Sequence, residues 1–193
     1  MLKTPRLIFR HFFPADLNQL YQEIYSHPLV AQALSPTGSL TFEQTAQILH
    51  RRLDHWQKHG FGVWALIHKQ NQQLMGHCGL HYLGDTSEVE LTYAINPFYW
   101  RQGLATEAAR AVLHWGFDTL KLKQIVAVTG PENIASRRVM QKLGMRYEQN
   151  IEYGATEVFY YSVTPEAFES ELRLSRQIFD KSARNRGNVA QNR

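Results

Sequence analysis

Apolar and polar positions change period several times along the chain, and the changes divide it into elements. Arg6–Arg10 (RLIFR) reads as a short first strand. Pro14-Ala15-Asp16 opens a helix that runs to about Tyr25, with Asp16 in its first turn, where the helix dipole favours a carboxylate. The stretch His27–Leu40, with Pro28, Pro36 and Gly38, reads as a connecting loop. A helix is predicted from about Phe42 to Lys58; Thr41 can cap it, Gln44 stands three residues on in capping-box spacing, and Gly60 ends it. Strands follow at Gly62–His68, Gln73–Leu83 and Glu88–Ile95. In the last of these Val89, Leu91, Tyr93 and Ile95 alternate with Glu88, Glu90, Thr92 and Ala94, the period of two of a strand with one more apolar face.

A loop with Asn96-Pro97 leads into a helix over 103–119. Its positions 105, 108, 109, 112 and 116 are Ala, Ala, Ala, Val and Gly, whereas 107, 110, 114 and 118 are Glu, Arg, His and Asp. The small face can lie unusually close to a sheet. A strand (Gln124–Val128), a helix (Asn133–Leu143), two strands (Met145–Tyr153 and Glu157–Val163) and a helix starting near Pro165 complete the chain. This order is a mixed α/β layout around one central sheet, without internal repeats.

Composition narrows the class. A chain of 193 residues with 44% apolar content fits one globular domain. One cysteine, Cys78, cannot form an internal disulfide or a Cys-rich metal site, which suits a reducing compartment. The N-terminus lacks the features of a signal peptide, and no apolar run approaches the ~18 residues that cross a bilayer. The expectation is a cytoplasmic protein without membrane contact, monomer or homodimer. Residues 1–170 hold 15 basic and 15 acidic residues, and residues 171–193 hold 6 and 2, so the net +4 belongs to the tail. The domain is therefore set at 1–170, followed by a basic tail that reads as a solvated terminus, loose from Arg184 onward, with weak RNA contact as the alternative. His77 and His81 share a strand face but stand ~13 Å apart, so no metal is expected. Cys78, next to Gly79, reads as buried rather than nucleophilic, and Trp56, Trp64 and Trp115 as core.

The stretch with most chemistry is Tyr93–Ala109, YAINPFYWRQGLATEAA: strand, loop, glycine, helix. A helix N-terminus presents unpaired N–H groups and about half a positive charge, a natural pyrophosphate site. Gly103 and Ala105 leave room for phosphate at the main chain. No Walker lysine and no G-x-G-x-x-G is present, which excludes an ATPase loop and a dinucleotide fingerprint. Read alone, the segment is equally an ordinary helix packed through small residues.

The segment resembles motif A of the GNAT acyltransferases, Gln/Arg-x-x-Gly-x-Gly/Ala, matched at Gly103 and Ala105, with Trp100 in the first position. YWRQGLATEA is similar to the subgroup that acetylates N-termini of ribosomal proteins. Asn133-Ile-Ala-Ser136 and Lys142-Leu-Gly144-Met145 resemble the family's Asn-x-x-Ser…Lys-x-Gly-Phe pattern. The likeness covers residues ~5–163 and implies a mostly antiparallel sheet splayed between its fourth and fifth strands, with helices on both faces. It further implies acetyl-CoA as cosubstrate and an amine acceptor, either a protein N-terminus or a small molecule. The backbone of Arg101, Gln102, Gly103, Leu104, Ala105 and Thr106 would hold the pyrophosphate. Asn133 and Ser136 would contact the pantetheine arm, and the main chain of Tyr93 and Ile95 would pair with it. Phe12, Phe13 and the His27–Leu40 loop would line the acceptor pocket. Glu90 is the first candidate base and Glu152 the second. Met140 stands where many members carry the tyrosine that protonates the thiolate, which leaves Ser136, Tyr147 or Tyr153, with Ser136 preferred. A coenzyme-A-binding module without turnover is the reading from another class.

Overall fold

In the computed structural model, which describes residues 2–34, 38, 40–154, 156–175 and 177, seven strands form one sheet. They are β1 Leu7–Arg10, β2 Val63–His68, β3 Leu74–Tyr82, β4 Val89–Ile95, β5 Ile125–Thr129, β6 Arg146–Tyr153 and β7 Thr156–Val163. Their order is β1-β2-β3-β4-β5-β7-β6. All neighbours are antiparallel except β4 and β5, which are joined through the helix Leu104–Asp118 and so run parallel. That parallel pair shares a single register position, Glu90 with Val126, whereas β3 and β4 match over seven. The sheet parts there, as the resemblance implies.

Helices cover both faces. On one lie a 3-10 turn Pro14–Asp16, α1 Leu17–Leu20, a π turn Tyr21–Tyr25, α2 Pro28–Leu34 and α3 Phe42–His59. Leu20, Ile24, Tyr25, Val30 and Leu49 pack there against Val63, Ala65, Ile67, Leu74 and Ala94. On the other lie α4 Leu104–Asp118, α5 Ile134–Lys142 and α6, the helical residues 165–175. Ala108, Ala109, Val112 and Leu113 of α4 pack there with Leu66, Met75, Leu80, Leu91 and Ile95. The small face of α4 comes as close as expected: a Cβ on Gly116 would stand 2.8 Å from Cδ1 of Ile125.

Two expectations need correction. The predicted helix to Tyr25 passes through 3-10, α and π turns, and Asp16 closes its start from inside. Asp16 accepts from the N–H of Phe13 (2.8 Å) and from both guanidinium nitrogens of Arg10 (2.7 Å each). Burial would raise the Asp16 pKa, but these bonds outweigh it and hold the carboxyl low. The stretch read as a loop contains α2. Pro28 is a first-turn residue there rather than a breaker, the carbonyl of His27 accepts from Val30 and Ala31, and burial of Val30 and Ala31 stabilises the turn. The α3 capping box forms as predicted, with Thr41 Oγ1 accepting from Gln44 N–H (3.2 Å) and Gln44 Oε1 from Thr41 N–H (2.8 Å). The tail beyond residue 177, expected to be basic and loose, lies outside the described residues. No helix among the described residues is long and apolar enough to cross a membrane.

One irregularity matters for the site. Leu66 pairs with Gly76 but Ile67 pairs with Leu74, so the register slips by one residue. Leu74 and His77 consequently share the α3 face, while Met75, Cys78 and Leu80 point to α4. Gly76 permits the slip with φ 155° and with the Ala94 carbonyl only 2.1 Å from where a Cβ would stand. Gly76→Ala should therefore destabilise the fold by at least about 3 kcal/mol in urea unfolding. Gly130→Ala, which has nothing within 4 Å, should stay within about 0.5 kcal/mol of the parent.

Candidate active site

The loop after β4 ends in Gly103, the N-cap of α4, at φ 75°, a conformation that favours glycine. Glycine offers no side-chain cap, and the first intrahelical bond runs from Glu107 N–H to the Gly103 carbonyl. The N–H groups of Leu104, Ala105 and Thr106 thus have no partner within the helix. Glu107 in this first turn would oppose an anion, but it is neutralised from a distance in sequence. Thr4 Oγ1 (2.6 Å), Arg6 N–H (3.0 Å) and Arg6 Nε (2.7 Å) all donate to its carboxylate. Burial would raise the Glu107 pKa; these donors outweigh it and hold the carboxyl low. Arg6 Nη1 also donates to the Gln102 carbonyl (2.8 Å), tying β1 to the loop.

β4 supplies an open backbone edge. The bonds from Leu83 N–H to the Glu88 carbonyl and from Asn96 N–H to the Met75 carbonyl place its even-numbered residues on the β3 side. The main-chain groups of Leu91, Tyr93 and Ile95 then point towards β5, which has left register after Glu90. Trp100 Nε1 donates to the Ile95 carbonyl (2.6 Å). The aromatic residue at the motif's first position thereby closes the far end of the edge and leaves Tyr93 in the gap.

Across the gap, Asn133 caps α5, its Oδ1 accepting from Ser136 N–H (3.0 Å). Ser136 Oγ lies 2.9 Å from the Tyr93 hydroxyl. Burial pushes the Tyr93 phenol well up, against the hydrogen bond from Ser136, so it stays protonated. Met140 is buried in the core, which explains why no group at that position reaches the gap. The Tyr93 side chain was missed in the sequence because its partner Ser136 lies 43 residues on.

On the opposite face, Glu90 is buried, with Val126 of β5 in register beside it. Burial raises its pKa to about 7, against the backbone of Val128. His81, paired with it across the strands, brings Nε2 to 3.5 Å of Glu90 Oε2. Burial lowers the His81 pKa to about 4, so this is no ion pair at neutral pH. His81 Nδ1 lies 2.8 Å from the Tyr82 carbonyl and must donate to it, which turns the Nε2 lone pair towards Glu90. Tyr153 has its phenol pKa raised, by burial first and then by the Glu90 charge. Glu152 is exposed on β6, opposite Glu157, with β5 and β7 between its strand and β4. The structure therefore brings together Glu90, His81 and Tyr153 on one face and Tyr93, Ser136 and Asn133 on the other, and leaves Glu152 outside. Cys78 is fully buried with its thiol pushed well up by burial. Among the described residues no group of three His, Cys, Asp or Glu could hold a metal ion.

A family profile described as acetyltransferase (GNAT) domain matches residues 6–146. The uncharacterized N-acetyltransferase YnaD of Bacillus subtilis is 33% identical over 149 residues, which is 76% of this chain and 83% of that protein. The crystal structure of a GNAT-family acetyltransferase from Bacillus anthracis is 32% identical with TM-score 0.71, covering 86% of this chain and 98% of that one. The chain belongs to the GNAT acetyltransferase family. RimL, an acetyltransferase solved with coenzyme A, shares the fold at 16% identity and TM-score 0.69, over 85% of this chain and 97% of its own.

The protein is an acetyl-CoA-dependent N-acetyltransferase, and two features of its structure fit that cosubstrate: an uncapped helix N-terminus with its one acidic neighbour neutralised, and an unpaired β4 edge beside it. The raised Glu90 pKa makes a signed prediction. The folded acetyltransferase keeps this proton to about pH 7 and the unfolded chain loses it near 4.3. Its contribution to stability is present below ~4.3 and is lost as pH rises through 7. Glu90→Gln should thus gain on the parent by roughly 2–3 kcal/mol between pH 4.5 and 8 in urea unfolding. A constant difference across that range would remove the raised pKa.

Proposed function

We propose that the acetyltransferase acetylates a primary amine by direct attack in a ternary complex, and that the amine is a protein N-terminal α-amine of the ribosomal-protein type. Acetyl-CoA supplies the thioester carbonyl. The observation that carries the reading is the open Tyr93 edge, with a carboxyl poised near neutrality on one face and a protonated hydroxyl pair on the other.

The residues divide the work. N–H groups of Arg101–Thr106 hold the pyrophosphate, as a helix N-terminus does for anions. Asn133 and Ser136 contact the pantetheine arm, and the main chain of Tyr93 and Ile95 pairs with it. The Tyr93 N–H stabilises charge growing on the thioester oxygen; losing one such donor costs ~3–4 kcal/mol in other acyl-transfer enzymes. Glu90 takes the amine's proton through a water, and the Tyr93–Ser136 pair, at the positive end of α5, protonates the departing thiolate. Glu152, exposed on the edge strand, has no part in this scheme.

The poise of Glu90 favours the acceptor named. A carboxyl of pKa about 7 nearly matches an α-amine at ~7.7–8, so the proton moves at little cost. Against a lysine amine at ~10.4 the same transfer is uphill by about 4–5 kcal/mol. The likeness of YWRQGLATEA to the ribosomal subgroup points the same way.

Thiol release with an N-terminal peptide tests the scheme. Glu90→Gln should lower kcat/KM by about 10²–10³-fold and abolish its rise through pH ~7. Tyr93→Phe should lower kcat by about tenfold or more, and Glu152→Gln should stay within about twofold. Loss of activity in Glu152→Gln with retention in Glu90→Gln would reverse the assignment. Absence of turnover with every peptide and small amine would leave a binding module.

A further inference from the structure

Arg52 extends from α3 to the underside of the sheet. Its Nη2 donates to the Tyr25 hydroxyl (2.6 Å) and to His77 Nε2 (3.0 Å), and its guanidinium packs over the rings of Phe12 (5.3 Å) and Tyr25 (5.7 Å). An arginine only donates, so His77 Nε2 carries the lone pair and the ring proton sits on Nδ1. Burial, reinforced by the charge on Arg52, keeps this histidine neutral. Arg52 as a residue is only half-buried, but its Nη1 and His77 Nδ1 are closed to solvent and without a hydrogen-bond partner among the described residues. No carboxylate there comes within ion-pair distance of the guanidinium. A guanidinium keeps its proton, so a full charge and two unmet donors stand in a low-dielectric place. Ring contacts and two hydrogen bonds offset only part of that penalty. Tyr25 moreover ends the π turn Tyr21–Tyr25, a geometry frequent at functional sites.

The cluster lies on the acceptor side. His77 stands four residues before His81 in the regular part of β3, so the two share the face that also carries Glu90. His77 pairs with Ala94 and His81 with Glu90, four residues along, a separation of about 13 Å.

We propose that Arg52, with His77 and Tyr25, forms a subsite for a carboxylate carried by the acceptor. The inference rests on the reading that Glu90 faces the acceptor amine. The spacing excludes a free amino acid, whose carboxylate is one carbon from its amine. An extended chain advances ~3.3–3.6 Å per residue, so the carboxylate belongs to an Asp or Glu within about the first four residues of a peptide. The preferred substrate class is an acidic N-terminal peptide.

Tetrapeptide amides with N-terminal Ala and a single Glu at position 2, 3 or 4, each with its Gln twin, test this by thiol release. At one position or more the Glu peptide should show a KM about 10- to 100-fold below its twin at similar kcat. Arg52→Met should fold at least as stably as the parent, since an apolar residue of similar length replaces a half-buried charge that no carboxylate meets. It should erase the preference by raising KM for the Glu peptide alone. Arg52→Lys keeps the charge and should retain a reduced preference, which decides the matter if Arg52→Met does not fold. Calorimetric binding of the N-acetylated Glu and Gln twins needs no turnover, so failure of the amine chemistry and failure of the subsite are read separately. Glu and Gln twins that match within about twofold at all three positions, or a preference that survives Arg52→Met, would overturn the proposal.

Discussion

β4 and β5 run parallel because α4 connects them, and they stay in register at one position, Glu90 with Val126. Beyond it the backbone of β4 has lost its neighbour. Unpaired main-chain groups inside a protein are costly unless something meets them, so the edge at Tyr93 is left with donors and acceptors that lack a strand partner. Its surroundings follow from the same parting. The loop leaving β4 must turn at Gly103 to start α4, which aims an uncapped helix end at the mouth of the gap. Trp100 folds back on the Ile95 carbonyl and limits how far the edge is open. α5 follows β5 and so presents its N-terminus to the other lip, where Ser136 meets Tyr93.

The gap also joins the two faces of the sheet, and the alternation of β4 sorts chemistry between them. Odd positions point to α4 and α5, so Tyr93 reaches Ser136; even positions point to the α1–α3 face, so Glu90 is held among apolar groups and beside the lone pair of His81. A buried carboxyl weakens the fold above neutral pH, and the same desolvation gives it a proton affinity suited to an amine. A half-buried arginine without a carboxylate partner among the described residues is a second expense of the same kind on that face. Both lie under the elements from which the family resemblance draws an acceptor pocket.

Much of this was legible in the sequence. The alternation at 88–95, the small face of α4 and the Thr41–Gln44 capping box are local patterns, and local patterns set local structure. Gly103 marked the turn into α4 because its need for a left-handed backbone is written in one residue. What escaped was long-range or irregular. Pro28 looked like a breaker because proline reads alike in a loop and at the first turn of a helix. The register slip at Gly76 cannot be seen in a period-two pattern, yet it decides that Leu74 turns to the α3 face and Met75 to the α4 face. The Tyr93–Ser136 contact, the clamp of Thr4 and Arg6 on Glu107, and the Arg52 cluster join residues 25 to 103 positions apart. Glu90 and Glu152 looked alike as strand carboxylates. Only the sheet order, which puts one beside the gap and the other on the outer edge, separates them.

Residue-resolved amide hydrogen exchange with and without saturating acetyl-CoA bears most directly on the open edge of β4. Bound acetyl-CoA should slow exchange at Tyr93 and Ile95 together with the amides of Gly103–Thr106, with little change at Thr92 and Ala94, which already face β3. Protection of the loop amides with Tyr93 unchanged would mean that the cosubstrate's arm does not lie along β4, and the assignments built on that edge would fall with it.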